Sequence, residues 1–72
     1  MNVATFYRFV SLDDPHAVAA RVHDLATQYA LRGTFLVARE GINATLTGDA
    51  VAGFVEQLEG DPRFAQLPVR YS

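Results

Sequence analysis

Hydrophobic residues recur along this chain with two different periods, one typical of strands and one typical of helices. Residues 3–10 are rich in β-branched and aromatic side chains, residues 33–38 form an apolar run, and residues 42–47 alternate between apolar and polar positions. Residues 68–72 predict a last short strand. Because only three residues separate the second and third segments, these two strands should form an antiparallel hairpin, with Gly41 supplying the positive φ of its turn.

Two segments between these strands have the apolar spacing of amphipathic helices. Asp14 is the predicted N-cap of the first helix, with Pro15 in its first turn, and Asp49 is the predicted N-cap of the second. The first helix should end near Leu31, with Gly33 as the break. The predicted apolar stripes are Val18, Val22, Leu25 and Tyr29 in the first helix and Val51, Phe54, Val55 and Leu58 in the second.

The predicted order of elements is β-α-β-β-α-β. Each helix has one apolar stripe and the clearest strand has one apolar face, so both helices should cover the same side of the sheet. This predicts an α+β, ferredoxin-like fold: a four-stranded antiparallel sheet with two helices on one face, in a single domain over residues 1–72. Since the sequence stops within or just after its last strand, we expect it to be a fragment of a longer protein.

The first strand can present either of its faces to the core. Placing the charged Arg8 in solvent predicts that Tyr7 and Phe9 are buried. The opposite, open side of the sheet would then carry Phe6, Arg8, Asn43, Thr45, Thr47 and Arg70. Such a face can contact RNA by stacking bases on aromatic rings. It can equally be covered by another domain, because Phe6 and Val10 would otherwise be exposed.

The composition excludes several classes of protein. Half of the 72 residues are apolar and 19% are charged, which is typical of a folded domain, and the net charge of −2 gives no overall attraction to nucleic acid. Without cysteine there is no thiolate nucleophile and no disulfide. No apolar run approaches the ~20 residues of a membrane span, and the first residues do not resemble a signal peptide, so we expect a cytoplasmic protein without a membrane partner.

The titratable residues do not form a recognisable catalytic or metal site. His16 and His23 lie seven residues apart on the first predicted helix, roughly 10 Å along its axis, which is too far to share one metal ion. Asp13 and Asp14 are explained by helix capping. We therefore expect no catalytic residue, no metal and no cofactor in this chain.

The hairpin segment Arg39-Glu40-Gly41-Ile42-Asn43 has two interpretations. In the first, Gly41 forms a tight turn and the charged side chains simply face water. In the second, Arg39, Glu40 and Asn43 contact a neighbouring domain or a phosphate.

Two stretches also resemble a known family. "FYRFVSLDD" and "LRGTFLVAREGINATLTG" are similar to the amino-terminal, acylphosphatase-like domain of the rhodanese-domain tRNA uridine hydroxylases, and the resemblance extends over nearly all of the chain. The positions that match the family's longer motif are Arg39, Glu40, Gly41, Ile42, Asn43, Thr45 and Gly48.

The resemblance implies a ferredoxin-like domain followed by a rhodanese domain, in an enzyme that hydroxylates a wobble uridine of tRNA with oxygen. That enzyme's active-site cysteine lies in the rhodanese domain, so this chain alone should be inactive. Its expected partners are tRNA and the rhodanese domain of the same parent chain. The candidate contact residues are Arg8, Arg39, Glu40, Asn43, Thr45 and Arg70, with Gly41 as a structural turn residue.

Two alternatives stay open. Acylphosphatases share the fold and use a phosphate-binding loop after the first strand, an arginine and an asparagine near the hairpin. Asn43 and Arg8 fit those positions loosely, but the loop "SLDDPH" has no glycine and two acids that would repel phosphate. The chain could also be a free-standing interaction module that uses its open sheet face.

Overall fold

The computed structural model describes residues 2–72 and has the predicted order of elements. These are β1 (Val3–Phe9), α1 (Pro15–Gln28), β2 (Arg32–Ala38), β3 (Gly41–Thr47), α2 (Val51–Leu58), a 3₁₀ turn (Pro62–Phe64) and β4 (Arg70–Tyr71). The strands form one antiparallel sheet in the order β2-β3-β1-β4, so β3 and β1 are central. The predicted ferredoxin-like α+β fold is confirmed.

Both helices pack on the same side of the sheet. α1 buries Val18, Val22 and Ala26, and α2 buries its whole predicted stripe. The strands contribute Ala4 and Phe6 from β1 and Ile42, Ala44 and Leu46 from β3, while Leu12, Phe64 and Leu67 close the core from the loops. Within residues 2–72, no helix is long and apolar enough to cross a membrane.

The helix ends differ in detail from the prediction. α1 ends at Gln28 rather than near Leu31, and the chain reverses through Ala30, which has a φ of 55°. Neither helix has a side-chain hydrogen bond at its N-cap. Instead of capping α2, Asp49 accepts a hydrogen bond from the side-chain amide of Asn2 at 3.2 Å.

The prediction for the two faces of β1 is wrong. Phe6 is 1% exposed and faces the helices, whereas Tyr7 and Phe9 are 58% and 82% exposed on the opposite side. Arg8 therefore also lies on the helix side. It is tolerated there because its guanidinium donates hydrogen bonds to three backbone carbonyl oxygens, one in the 3₁₀ turn (Arg63) and two just after it (Ala65 and Gln66).

The loop that follows β1 is held against the tip of the β2–β3 hairpin. The backbone N–H of Val10 donates to the carbonyl of Glu40 at 3.0 Å, and that of Leu12 donates to the carbonyl of Arg39 at 2.9 Å. Leu12 is buried, which anchors the loop to the core. The two-residue tip Arg39-Glu40 thus serves as a backbone acceptor for the β1–α1 connection.

Candidate contact surface

The side of the sheet that faces away from the helices, here called the open face, is organised in four rows of side chains. In an antiparallel sheet, residues directly opposite each other point to the same side, so the strand register defines these rows. Starting from the hairpin tip, the rows are Ala38, Gly41 and Phe9; Leu36, Asn43 and Tyr7; Thr34, Thr45, Thr5 and Arg70; and Arg32, Thr47 and Val3.

The two rows next to the hairpin tip form an apolar, aromatic end. Leu36 is 69% exposed beside the exposed rings of Tyr7 and Phe9. The centroids of these two rings are 5.5 Å apart and their planes are inclined at 56°. A groove of about 460 Å³ runs between these residues, and Ala38 and Asn43 also line it. We call this region the aromatic end of the open face.

Asn43 supplies a polar group at the centre of the aromatic end. It lies opposite Tyr7 on one side and opposite Leu36 on the other, and it is exposed to solvent. A side-chain amide offers both hydrogen-bond donors and an acceptor. The groove therefore combines apolar walls with one polar group that can fix the orientation of a ligand.

The two remaining rows form a polar, basic end. Three threonines, Thr5, Thr34 and Thr45, lie side by side across the sheet, and Arg70 extends their row on β4. Arg32 lies in the last row. In the part of the chain that the structure describes, no strand position on the open face holds a carboxylate; Glu40, at the hairpin tip, lines the groove from its end.

The structure brings together some of the predicted contact residues and separates others. Asn43, Thr45 and Arg70 share the open face, and Arg39 and Glu40 are exposed at the hairpin tip. Arg8 lies on the other side of the sheet. Its guanidinium donates hydrogen bonds to carbonyl oxygens within the domain, so the prediction that Arg8 lies on the open face is wrong.

Gly41 has a role beyond the predicted turn. It is the first residue of β3, it is buried, and its φ is 145°. A Cβ at this position would overlap the carbonyl oxygen of Arg8 on the neighbouring strand. Gly41 is therefore required both for its backbone conformation and for the close approach of β3 to β1.

Tyr7, Phe9 and Leu36 are the surface residues that the sequence prediction missed. The signal that could have found them is the alternation of β3, whose buried face of Ile42, Ala44 and Leu46 was correctly predicted. Once β1 is paired with β3, Ala44 lies opposite Phe6 and Asn43 lies opposite Tyr7. This register leaves only one choice for the faces of β1.

The titratable groups lie mostly away from the open face. His16 and His23 are exposed on α1, and residues 2–72 contain no group of three side chains placed to hold a metal ion. An ion pair joins Arg63 to Asp61 at 2.8 Å. The hydrogen bonds that Arg63 donates hold the pKa of Asp61 below its usual value. This pair stabilises the 3₁₀ turn, because Asp61 also accepts from the backbone N–H of Arg63.

Comparison with known proteins identifies a matching family and several similar proteins. The family model described as "UPF0176 acylphosphatase like domain" matches residues 1–72. A protein of Xanthomonas campestris pv. campestris named tRNA uridine(34) hydroxylase is 50% identical over 68 residues. That alignment covers 92% of this chain and 27% of the relative.

Proteins with the same name in two other bacteria extend this likeness. The one from Xanthomonas axonopodis pv. citri is 47% identical over 74 residues, which cover all of this chain and 30% of the relative. The one from Bordetella parapertussis is 43% identical over the same coverage. The chain thus spans less than a third of the length of the curated relatives it matches.

Proposed function

Since the chain belongs to the family of the UPF0176 acylphosphatase-like domain, we propose that it is a non-catalytic accessory domain of a cytoplasmic tRNA uridine hydroxylase. In this proposal the open face is its contact surface, either for tRNA or for the rhodanese domain of the parent enzyme. The name of the relatives, tRNA uridine(34) hydroxylase, supports the reaction, and their greater length leaves room for a catalytic domain elsewhere.

The residue composition of the open face is the observation that supports the accessory role. It holds exposed aromatic and apolar side chains, threonines and arginines, which suit contact with a partner. Among residues 2–72, the open face holds neither a pair of carboxylates nor a histidine with which to move a proton. The sequence also contains no cysteine to act as a nucleophile.

The geometry of the β1–α1 loop weighs against acyl phosphate hydrolysis. A phosphate-binding loop presents free backbone N–H groups, but those of Val10 and Leu12 already donate to the hairpin tip. Asp13 and Asp14 follow in the same loop and would repel a phosphate. The guanidinium of Arg8, which would have to bind the phosphate, is held by backbone carbonyls on the other side of the sheet.

The proposal is tested in the relative from Xanthomonas campestris. Its matching segment is either deleted or replaced by this chain, and hydroxylated uridine in tRNA is measured by mass spectrometry. We expect the replacement to hydroxylate tRNA and the deletion variant to lose most of its activity. This chain by itself should produce no hydroxylated uridine. A deletion variant as active as the intact relative, although folded, would contradict the accessory role.

A separate assay with benzoyl phosphate tests for acyl phosphate hydrolysis. We expect no hydrolysis above the uncatalysed rate, and Asn43→Ala should change nothing. Turnover that disappears in the Asn43→Ala variant would establish an acylphosphatase instead.

A further inference from the structure

We propose that the open face binds unpaired RNA nucleotides, with a base stacked at the aromatic end and the phosphates directed toward the polar end. In detail, Tyr7 and Phe9 supply the stacking surfaces, Asn43 contacts the edge of the base, and Arg70 attracts the backbone. This inference rests on the proposed function and names which of its two partners occupies the open face.

The first argument is the exposure of two aromatic rings on a central strand. A chain of this size has a small core, yet Phe9 is 82% exposed and Tyr7 is 58% exposed. Their planes are inclined at 56°, so each ring presents a surface of its own instead of stacking on the other. Aromatic side chains on an open sheet are the means by which proteins stack unpaired bases.

The second argument is the position of Asn43 beside these rings. It lies directly opposite Tyr7, which places the two Cβ atoms roughly 5 Å apart. An amide at that distance can reach the edge of a base that is stacked on the ring. Its donors and acceptor are complementary to the mixed donor and acceptor groups of a nucleobase edge.

The third argument is the distribution of charge. Arg32 and Arg70 lie on the open face, although the chain has a net charge of −2. Among residues 2–72, no strand position of the open face holds a carboxylate; Glu40 lies at the hairpin tip, and Asp49 follows the opposite end of β3, where it accepts a hydrogen bond from Asn2. The face is therefore locally basic, which attracts a phosphate backbone.

The order of the rows also matches the shape of a nucleotide. The row of Tyr7 and Asn43 is two residues along the strand from the row of Thr45 and Arg70, or about 7 Å. A base at the first row thus has its sugar and phosphate near hydroxyl and guanidinium donors at the second. A partner with a purely apolar surface would not be complementary to a face that changes from aromatic to polar side chains.

Unpaired nucleotides fit this surface better than a duplex does. Bases in an A-form helix are stacked on each other, so the rings of Tyr7 and Phe9 could not reach their faces. The nucleotides of a loop or a strand end can be splayed onto a sheet.

The experiment measures binding of this chain to a seven-nucleotide single-stranded RNA containing all four bases. Fluorescence anisotropy at low salt gives the Kd, and the same RNA annealed to its complement is the duplex probe. We expect the single strand to bind more tightly than the duplex. Tyr7→Ala should raise the Kd by about 5- to 150-fold, the loss typical of one stacked base.

Further variants separate stacking from apolar contact and from charge. Tyr7→Leu keeps an apolar side chain but removes the ring, so it should weaken binding more than Leu36→Ala does. Arg70→Gln should reduce the slope of log Kd against log salt by about 0.7, the value for one phosphate contact on a single strand. Tyr71→Ala is the matched control, since Tyr71 is 51% exposed but lies opposite Ala4 on the helix side; it should bind as the unmodified chain does.

Three results would each overturn the inference: no binding of the single strand, equal binding of strand and duplex, or a Tyr7→Leu variant with unchanged Kd. In those cases Tyr7→Ala is introduced into the Xanthomonas campestris relative whose matching segment has been replaced by this chain. Loss of tRNA hydroxylation there would show that the open face contacts the rest of the enzyme, so the proposed accessory function would stand without the RNA contact. Unchanged hydroxylation would remove the open face from the proposed function as well.

Discussion

Arg8 is tied to Ala65 by a hydrogen bond of 2.8 Å from its Nη2 to the carbonyl oxygen. The same nitrogen donates to the carbonyl of Gln66 at 3.1 Å, and Nη1 donates to that of Arg63 at 3.4 Å. These bonds join the end of β1 to the segment that leads into β4. Gln66 has a φ of 55°, so the chain bends there in a conformation that few side chains favour, and the guanidinium fastens this bend.

We expect Arg8→Ala to destabilise the domain. The substitution removes a charged donor from backbone carbonyls, and hydrogen bonds to charged groups contribute about 1.5–3 kcal/mol. Urea unfolding should show a loss of this size in the free energy of unfolding. Arg39→Ala, at the exposed hairpin tip, is the control and should change it by less than about 0.5 kcal/mol. Equal losses in both variants would mean that the bonds of Arg8 contribute nothing specific.

The faces of β1 are tested by two substitutions on the same strand. Phe6→Ala removes a fully buried ring and should cost about 3–5 kcal/mol, a large part of the stability of a domain this small. Phe9→Ala removes an exposed ring and should leave the free energy of unfolding within about 0.5 kcal/mol. Thermal unfolding followed by circular dichroism compares them. A larger loss for Phe9→Ala would restore the face assignment predicted from the sequence.

The sequence predicts elements well where one physical signal dominates. The stripe Val51, Phe54, Val55 and Leu58 is buried as predicted, because four apolar residues at helical spacing leave one possible inner face. The β2–β3 hairpin follows from its short connection. β1 has apolar residues on both faces, and there the sequence prediction is wrong. It places the charge of Arg8 in solvent, whereas the guanidinium donates to carbonyl oxygens almost sixty residues away.

The composition of the open face is harder to predict for the same reason. The alternation of polar residues predicts the open-face positions of Asn43, Thr45 and Arg70, which the strand register confirms. The sequence predicts that Tyr7 and Phe9 lie in the core, since hydrophobicity favours burial and does not distinguish an apolar side chain that lies in solvent. Only the register between β1 and β3 shows that Tyr7 and Phe9 lie on the open face.

Gly41→Ala should destabilise the domain strongly. The φ of 145° is unfavourable for alanine, and the new Cβ would overlap the backbone of Arg8, which cannot move without separating β3 from β1. Backbone strain of this kind costs about 1–3 kcal/mol before the overlap is counted. Urea unfolding measures the loss.

Gly53→Ala in α2 is the matched control. Its new Cβ would lie 2.9 Å from the edge of the half-buried ring of Tyr29, a side chain and not backbone, and alanine favours the helix by up to about 1 kcal/mol. Its effect should therefore be small. A Gly41→Ala variant as stable as Gly53→Ala would show that the hairpin can relax around the extra carbon.

Asp61 should make the stability of the domain depend on pH in the acid range. Its side chain is only 11% exposed and accepts hydrogen bonds from Arg63, which lowers its pKa below the usual 3.8. A carboxyl with a lower pKa in the folded than in the unfolded chain stabilises the fold when it is ionised. That contribution is complete above the unfolded pKa and is lost as the pH falls through the folded one.

Asp61→Asn should therefore be less stable than the unmodified chain at neutral pH and equally stable in strong acid. Urea unfolding at a series of pH values from 7 to about 2 follows the difference between the two proteins, which should narrow from about pH 5 downward. Glu56→Gln, on the exposed side of α2, controls for the loss of one surface charge. A difference that stays constant over the whole range would mean that Asp61 stabilises the 3₁₀ turn through its shape and hydrogen bonds alone, since only ionisation of the carboxyl can make the gap close with pH.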